Sequence, residues 1–64
     1  MNNKPVAVIT GASRGIGRAI AISLASEKFD IAAIARTVES EGMESLAREI
    51  TAKNVAFFPV GLDI

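Results

Sequence analysis

Three short, almost wholly apolar runs divide this chain and limit the folds open to it more than any other feature. They are Val6–Ile9, Ile31–Ala35 and Val55–Val60. In the first two runs, apolar residues occupy odd and even positions alike, which is typical of parallel strands buried on both faces rather than of strands with one wet face. Pro59 weakens the prediction for the end of the third strand, because proline cannot donate to a sheet ladder.

The segment after the first run predicts a helix. Its apolar and small residues recur at helical spacing until Glu27 and Lys28 close the pattern. The predicted buried face consists of Ile16, Ala19, Ile20, Ser23 and Leu24. We expect Arg18 to face away from it.

A second helix is predicted between the second and third runs. Acidic residues precede and open this segment, where the helix dipole favours them, and either Thr37 or Ser40 is a suitable N-cap. Its apolar positions fit the i, i+3, i+4, i+7 template and are Met43, Leu46, Ala47 and Ile50. We expect Met43, together with Phe57 and Phe58 of the third strand, to be core residues.

The alternation of strands and helices with short links predicts an α/β fold. Such units pair their strands in parallel through right-handed crossovers, which here gives a βαβαβ half of a doubly wound sheet in the order 3-2-1. Both helices then lie on one face of the sheet. The other face, which includes Val6 and Val8, is apolar and bare. We therefore expect residues 1–64 to be the amino-terminal part of a single domain that continues beyond Ile64 and covers this face.

Composition excludes several classes of function. The chain has no Cys, His, Trp or Tyr, so disulfides, thiolate or histidine metal sites and histidine-based triads are ruled out, and we predict no metal site. Seven basic residues balance seven acidic ones, which provides no electrostatic attraction to nucleic acid or an anionic membrane. The longest apolar run is far shorter than the roughly 20 residues of a membrane span. We expect a cytoplasmic protein.

A glycine-rich turn, Thr10–Gly17, lies between the first strand and the first helix. A helix amino terminus presents unpaired N–H groups and partial positive charge, which suit a phosphate if no side chain blocks the backbone. In this interpretation Gly11 permits a sharp exit from the strand, Gly15 admits a pyrophosphate and Gly17 allows the helix to pack near the strand. The alternative is a turn whose glycines serve packing alone. The P-loop pattern does not fit, because Ile16 stands where that motif needs lysine.

The turn resembles a known cofactor motif. Thr10-Gly11-x-x-x-Gly15-x-Gly17 is similar to the T-G-x-x-x-G-x-G motif of the short-chain dehydrogenases/reductases, and residues 11–21 resemble the versions found in 3-oxoacyl-acyl-carrier-protein reductases. The order of elements and the closing Leu62-Asp63-Ile64 fit as well. The resemblance implies a Rossmann domain whose cofactor-binding residues are Gly11, Ala12, Ser13, Arg14, Gly15, Ile16, Gly17, Arg36, Thr37, Asp63 and Ile64.

The end of the second strand indicates which dinucleotide binds. NAD-selective sites carry an acidic residue there to hold the ribose 2′-hydroxyl, but this strand ends at Arg36, and Asp30 lies at its opposite end. A guanidinium binds a 2′-phosphate through two hydrogen bonds, and Arg14 in the turn is placed to reach the same group. The sequence therefore favours NADP over NAD.

Each of these side chains has a simpler structural role open to it. Arg14 and Arg36 suit solvated surface charges as well as phosphate ligands. Ser13 either caps the first helix or contacts the cofactor, and Thr37 either caps the second helix or binds the 2′-phosphate. The resemblance assigns Asp63 and Ile64 to the adenine, while the alternative for them is a turn.

By resemblance, the activity is hydride transfer between a nicotinamide and a small-molecule carbonyl or secondary alcohol. The family's catalytic Tyr, Lys and Ser and its Asn-Ala-Gly segment have no counterpart in this chain, so we predict no catalytic residue within it. The family usually forms dimers or tetramers. Two alternatives stay open, namely a non-catalytic dinucleotide-binding module that senses redox state and a packing domain with a vestigial site.

Overall fold

Strands and helices alternate along the chain in the predicted order. A computed structural model describes residues 5–12, 15–36 and 40–62. The elements are β1 (Val6–Thr10), α1 (Gly15–Ser26), β2 (Asp30–Ala35), α2 (Glu41–Thr51) and β3 (Phe57–Gly61). Both helices therefore begin near the carboxyl ends of the strands that precede them.

The three strands form one parallel sheet with β2 in the centre. The order β1-β2-β3 is the predicted 3-2-1 order read from the other edge, so the α/β half-sheet is confirmed. Paired residues share a face, and one row across the sheet consists of Val8, Ala32 and Phe58. Because the pairing is one-to-one, this row fixes which side chains face the helices.

The third strand begins later than predicted, at Phe57 instead of Val55. Asp30 explains part of this difference, since its Oδ1 accepts a hydrogen bond from the Ala56 N–H at 2.9 Å. Pro59 is tolerated within β3 because amides alternate in direction along a strand. The Leu62 N–H donates to the Ala35 carbonyl at 2.9 Å, so position 59 points away from β2, where a missing N–H costs no ladder bond.

The second helix packs through the predicted face. Met43, Leu46 and Ile50 are buried, and Ala47 is half-buried. Ser40 is the N-cap, with its Oγ accepting the Met43 N–H at 3.2 Å. Of the two predicted caps the structure thus shows Ser40, while Thr37 lies outside the described residues.

The predicted buried face of α1 is wrong. Ile16 is 80% exposed and Ile20 is also exposed, whereas the fully buried residues are Ala21 and Ala25. With the half-buried Gly17, these small residues recur every four positions and bring the helix axis close to the sheet. The close approach of helix and sheet leaves the large aliphatic side chains of Ile16 and Ile20 on the outside. The prediction was wrong because it ranked residues by size and not by how closely the two backbones approach. Of the other members of the predicted face, the structure leaves Ala19 and Ser23 exposed and Leu24 half-buried.

The expectation that Arg18 faces away from the packed side of α1 is wrong. Its guanidinium donates to three acceptors on α2, and only 24% of its side chain is exposed. The periodicity of α1 alone gives no signal for this contact, because the acceptors lie on another element.

One face of the sheet is covered and the other is open. The helices contact each other and share a core with Ile31 and Ala33 of the central strand. On the opposite face, Val8 is 63% and Phe58 49% exposed. Phe58 is thus not a core residue within the described chain, although Phe57 packs against the core. The expected bare apolar face is present, and the strands are not buried on both sides by this chain alone.

The two faces should respond differently to a charge. An exposed apolar face promotes self-association. In the 64-residue chain, we therefore expect Val8→Lys to reduce self-association, because it places a charge on this face without disturbing the core. Ile31→Lys is its matched control. Ile31 is 0% exposed, so an unpaired ammonium there should prevent folding. Light scattering after gel filtration, with circular dichroism, checks both, and loss of structure in Val8→Lys comparable to that in Ile31→Lys would contradict the assignment of faces.

Candidate functional site

The carboxyl edge of the sheet brings together predicted site residues that are distant in sequence. The Gly11 N–H donates to the Ile34 carbonyl at 3.0 Å, and the Leu62 N–H donates to the Ala35 carbonyl at 2.9 Å. Three predicted parts of the site therefore come directly after the ends of adjacent strands. They are the glycine turn after β1, Arg36 after β2 and the segment at the end of β3. Ligands of open α/β sheets bind at this edge.

Asp30 lies at the opposite edge, as expected. It pairs with Val6, and its carboxylate accepts the Ala56 N–H. Asp30 thus fixes Ala56, the residue that precedes β3, and lies at the other end of β2 from Arg36. Asp30 is therefore not placed to bind a ribose 2′-hydroxyl at the carboxyl edge of the sheet.

Two glycines of the turn adopt left-handed backbone. Gly11 has φ +64° and Gly15 has φ +68°, and no atom of the described residues, apart from each glycine's chain neighbours and its own helix, lies within 4 Å of the point where a Cβ would stand on either. Only glycine adopts this region routinely. The chain leaves β1 sharply at Gly11, whose N–H is committed to β2, while Gly15 presents bare backbone at the start of α1.

Gly17 is needed for close packing. A Cβ at this position would stand 2.5 Å from the Gly11 carbonyl oxygen and 3.2 Å from the Ala12 Cα. Ala12 is itself fully buried. The first turn of α1 therefore lies directly against the end of β1, and Ala12 contributes to this packing with its side chain turned inward.

No acidic residue in the first turn of α1 offsets the partial positive charge at the amino terminus of this helix. Gly15, Ile16 and Gly17 are its first three residues, and N–H groups at these positions have no intrahelical acceptor. The first turn of α1 carries no acidic residue, whereas the first turn of α2 carries Glu41 and Glu44 in addition to its serine cap. The partial positive charge of a helix start is thus balanced by the helix itself in α2 and not in α1.

The remaining predicted site residues are distributed between described and undescribed parts of the chain. Arg36 is exposed directly after β2. The other predicted side chains lie outside the described residues and are Ser13, Arg14, Thr37, Asp63 and Ile64. Their roles stay predictions.

The described residues form neither a metal site nor a membrane-spanning helix. Among residues 5–12, 15–36 and 40–62, no group of three or more acidic, histidine or cysteine side chains is arranged to hold a metal ion. Within the same ranges, neither helix has the length and hydropathy of a membrane span.

Comparison with known proteins identifies the family. The family model described as short chain dehydrogenase matches residues 5–64. The chain belongs to the short-chain dehydrogenase/reductase family. It is 41% identical over 58 residues to a 3-oxoacyl-acyl-carrier-protein reductase of Staphylococcus aureus, an alignment that covers 91% of this chain and 23% of the relative. The chain therefore spans about a quarter of the length of that short-chain dehydrogenase/reductase.

Solved structures of the same family share the fold. An alcohol dehydrogenase from the archaeon Thermococcus sibiricus, complexed with 5-hydroxy-NADP, superimposes with a TM-score of 0.82 at 45% identity and covers 95% of this chain and 26% of that one. Carveol dehydrogenase from Mycobacterium avium, in complex with NAD, gives a TM-score of 0.82 at 30% identity, covering 92% of this chain and 25% of its own. The resemblance seen in the glycine turn thus extends over the whole described architecture.

The contact at Gly17 gives a stability prediction. In the full-length protein, Gly17→Ala should lower the free energy of unfolding by about 1–3 kcal/mol, because the added methyl group overlaps the Gly11 carbonyl and forces the helix away from the strand. Ser23→Ala, on the exposed side of the same helix, should change it by less than ~0.5 kcal/mol. Urea unfolding measures both, and equal effects would show that the close approach is not required.

Proposed function

We propose that this chain is the cofactor-binding part of an NADP-dependent oxidoreductase that transfers a hydride between the nicotinamide and a carbonyl or secondary alcohol. The observation that carries the proposal is the start of α1. Its first turn has no acidic residue, Gly15 contributes no side chain, and the turn that leads into it is bonded to β2 at the carboxyl edge, through the Gly11 N–H and the Ile34 carbonyl. The nicotinamide supplies the hydride chemistry when bound.

The pyrophosphate is assigned to the amides of Gly15, Ile16 and Gly17. A phosphate accepts hydrogen bonds from such amides only if the backbone can be approached closely, and no described residue beyond the chain neighbours of Gly15 and its own helix lies within 4 Å of the place where its Cβ would stand. A Cβ at Gly15 would enter that space. Gly11 and Ala12 support the site indirectly, since the Gly11 N–H is bonded to β2 and Ala12 is buried.

The preference for NADP rests on Arg36. A guanidinium at the end of β2 pairs with a 2′-phosphate through charged hydrogen bonds, each of which contributes about 1.5–3 kcal/mol. Arg14, Ser13 and Thr37 complete this side of the proposed site, and Asp63 and Ile64 are assigned to the adenine. The archaeal alcohol dehydrogenase binds an NADP derivative and carveol dehydrogenase binds NAD, so the family's fold accommodates either cofactor and the side chains decide between them.

The rest of the enzyme is proposed from the open face of the sheet and the length of the relatives. We infer that residues beyond Ile64 cover Val8 and Phe58, and that they supply the tyrosine, lysine and serine that act on the substrate. Residues 1–64 are then the amino-terminal part of one domain. We place the protein in the cytoplasm as a dimer or tetramer.

A redox-sensing module of the same fold is the second candidate. It shares the cofactor site and differs in having no proton donor, so a Tyr-x-x-x-Lys sequence in the full-length protein separates an enzyme from a sensor.

Cofactor titration tests the function. Full-length protein titrated with NADPH, followed by nicotinamide fluorescence, should show saturable binding that is tighter than binding of NADH. Reduction of a ketone with consumption of NADPH would then establish the enzyme. Absence of binding to either dinucleotide would leave only a structural role.

The assignment of the 2′-phosphate gives a sharper prediction. In the full-length protein, Arg36→Asp should weaken NADPH binding by roughly 10- to 150-fold, because it removes a charged hydrogen bond and adds repulsion, and it should improve NADH binding. Arg48→Asp makes the same change of charge near the far end of α2 and should alter neither. Dissociation constants for both dinucleotides decide the matter, and unchanged NADPH affinity in Arg36→Asp would remove the proposed site.

A further inference from the structure

The two helices differ in what they present on their outer surfaces. With the exception of Thr51, the exposed residues of α2 are charged, and they are Glu41, Glu44, Arg48 and Glu49. No exposed residue of α1, a helix that is described over its whole length, is charged. These residues are Gly15, Ile16, Ala19, Ile20, Ser23 and Ser26. A helix at the surface of a protein normally carries its charges on the outside, so α2 has the outer surface of a peripheral helix and α1 does not.

The large apolar side chains on the outside of α1 lie in one row. Ile16 is 80% and Ile20 is 45% exposed, and Leu24 is half-buried. Residues four positions apart on a helix lie on the same face, one above the other. These three side chains therefore form a continuous ridge along α1, which is the feature that a neighbouring helix receives in its grooves when two helices pack.

The row faces away from α2. Arg18 is two positions from both Ile16 and Ile20, which is roughly 200° around the helix, and its guanidinium donates to acceptors on α2. The contacts of α1 with the sheet are to β1 and β2, whereas α2 contacts β3. Among the described strands, β1 pairs with β2 alone. The row therefore lies on the side of α1 at which the sheet is open beyond β1.

We propose that this row is an interaction surface for a helix of the same polypeptide, from the part of the full-length protein beyond Ile64. The inference rests on the proposed function in one respect, since both require the chain to continue. It goes further because the row is on the helix-covered side of the sheet and is separate from the open face that includes Val8 and Phe58. In the full-length protein α1 then lies between two helices, and α2 stays at the border of the helix layer.

The size of the row favours a segment of the same polypeptide over a second copy. A stable interface between separate proteins buries roughly 800 Å² on each partner, which two exposed isoleucines and a half-buried leucine cannot supply. Contact within one chain needs no such area, because the two segments are already joined. This chain spans 23% of the Staphylococcus aureus reductase to which it is similar, so a protein of that length has many residues left to provide the helix.

Cysteine accessibility tests the proposal, because residues 1–64 contain no cysteine of their own. In the full-length protein, a maleimide should modify Ile20→Cys at least about 100-fold more slowly than Ser26→Cys, since a covered thiol reacts only when the protein opens locally. Ser26 is the matched control because it is exposed on the same helix, roughly 120° around the axis from Ile20. The unsubstituted protein corrects for cysteines elsewhere, and the two variants should react at equal rates in urea.

A second pair of variants needs no thiol. A glutamine side chain under an apolar helix lacks a hydrogen-bond partner, so full-length Ile20→Gln should lose roughly 5–10 °C in Tm, against less than about 2 °C for Ser26→Gln. If Ile20→Cys does not fold, this pair decides the matter. Failure of Ile20→Gln alone to fold supports the surface, because an exposed position tolerates glutamine, and equal shifts in the two variants would overturn it.

The labelling also decides between occupants of the row. Equal reactivity of the two thiols in the folded protein would overturn the proposal. Protection that disappears on dilution would overturn it in favour of a second copy, and protection that appears only with NADPH would overturn it in favour of the cofactor. Titration of the same variants with NADPH and NADH separates the two proposals. Binding with a reactive thiol at position 20 rejects this surface alone, and a protected thiol without binding of either dinucleotide rejects the cofactor site alone.

Discussion

The contact between Gly17 and the Gly11 carbonyl is the constraint on which the site depends. It is a backbone-to-backbone approach with no room for a methyl group, and it sets where α1 starts relative to the end of β1. The same approach leaves the amides of the first turn facing the carboxyl edge. Small residues at Ala21 and Ala25 continue it along the helix. Close packing and an exposed helix start are thus two results of one geometric requirement.

The two helices begin in contrasting ways. The start of α2 is complete in itself, with a serine cap and acidic side chains that offset its dipole. The first turn of α1 has no acidic residue and begins on a left-handed glycine. A sequence that caps one helix and leaves its neighbour without an acid is consistent with a ligand that supplies the missing negative charge.

Much of the fold could be predicted from the sequence, because apolar runs and helical spacing are local signals. The strand order, the α2 face with Met43 and the Ser40 cap belong to this class. The α1 face could not be predicted by the same rule, since the distance between helix and sheet decides it and favours alanine over Ile16. Likewise, the hydrogen-bond partners of Arg18 lie 24 to 31 positions away in the sequence. Phe58 is apolar and was expected in the core, but it lies on the face of the sheet that this chain leaves uncovered.

Within the candidate site, the glycines were the most predictable members. Their role follows from backbone geometry, which a spacing pattern encodes directly, as the positive φ of Gly11 and Gly15 illustrates. The charged members are harder, because the same arginine serves as a ligand or as a surface charge according to what stands opposite it. Arg36 is placed by the end of β2, but its role depends on a molecule and not on the chain.

Pro59 has a consequence for how the sheet can grow. Its ring occupies the middle of the outer edge of β3, where a neighbouring strand would need an N–H donor, so this edge resists continuous pairing. A further strand would therefore pair more readily beside β1, which contains no proline. In doubly wound sheets the connections reverse direction at that strand, and the crevice opens at its carboxyl end. With a strand added beside β1, the glycine turn that follows β1 would lie at that crevice.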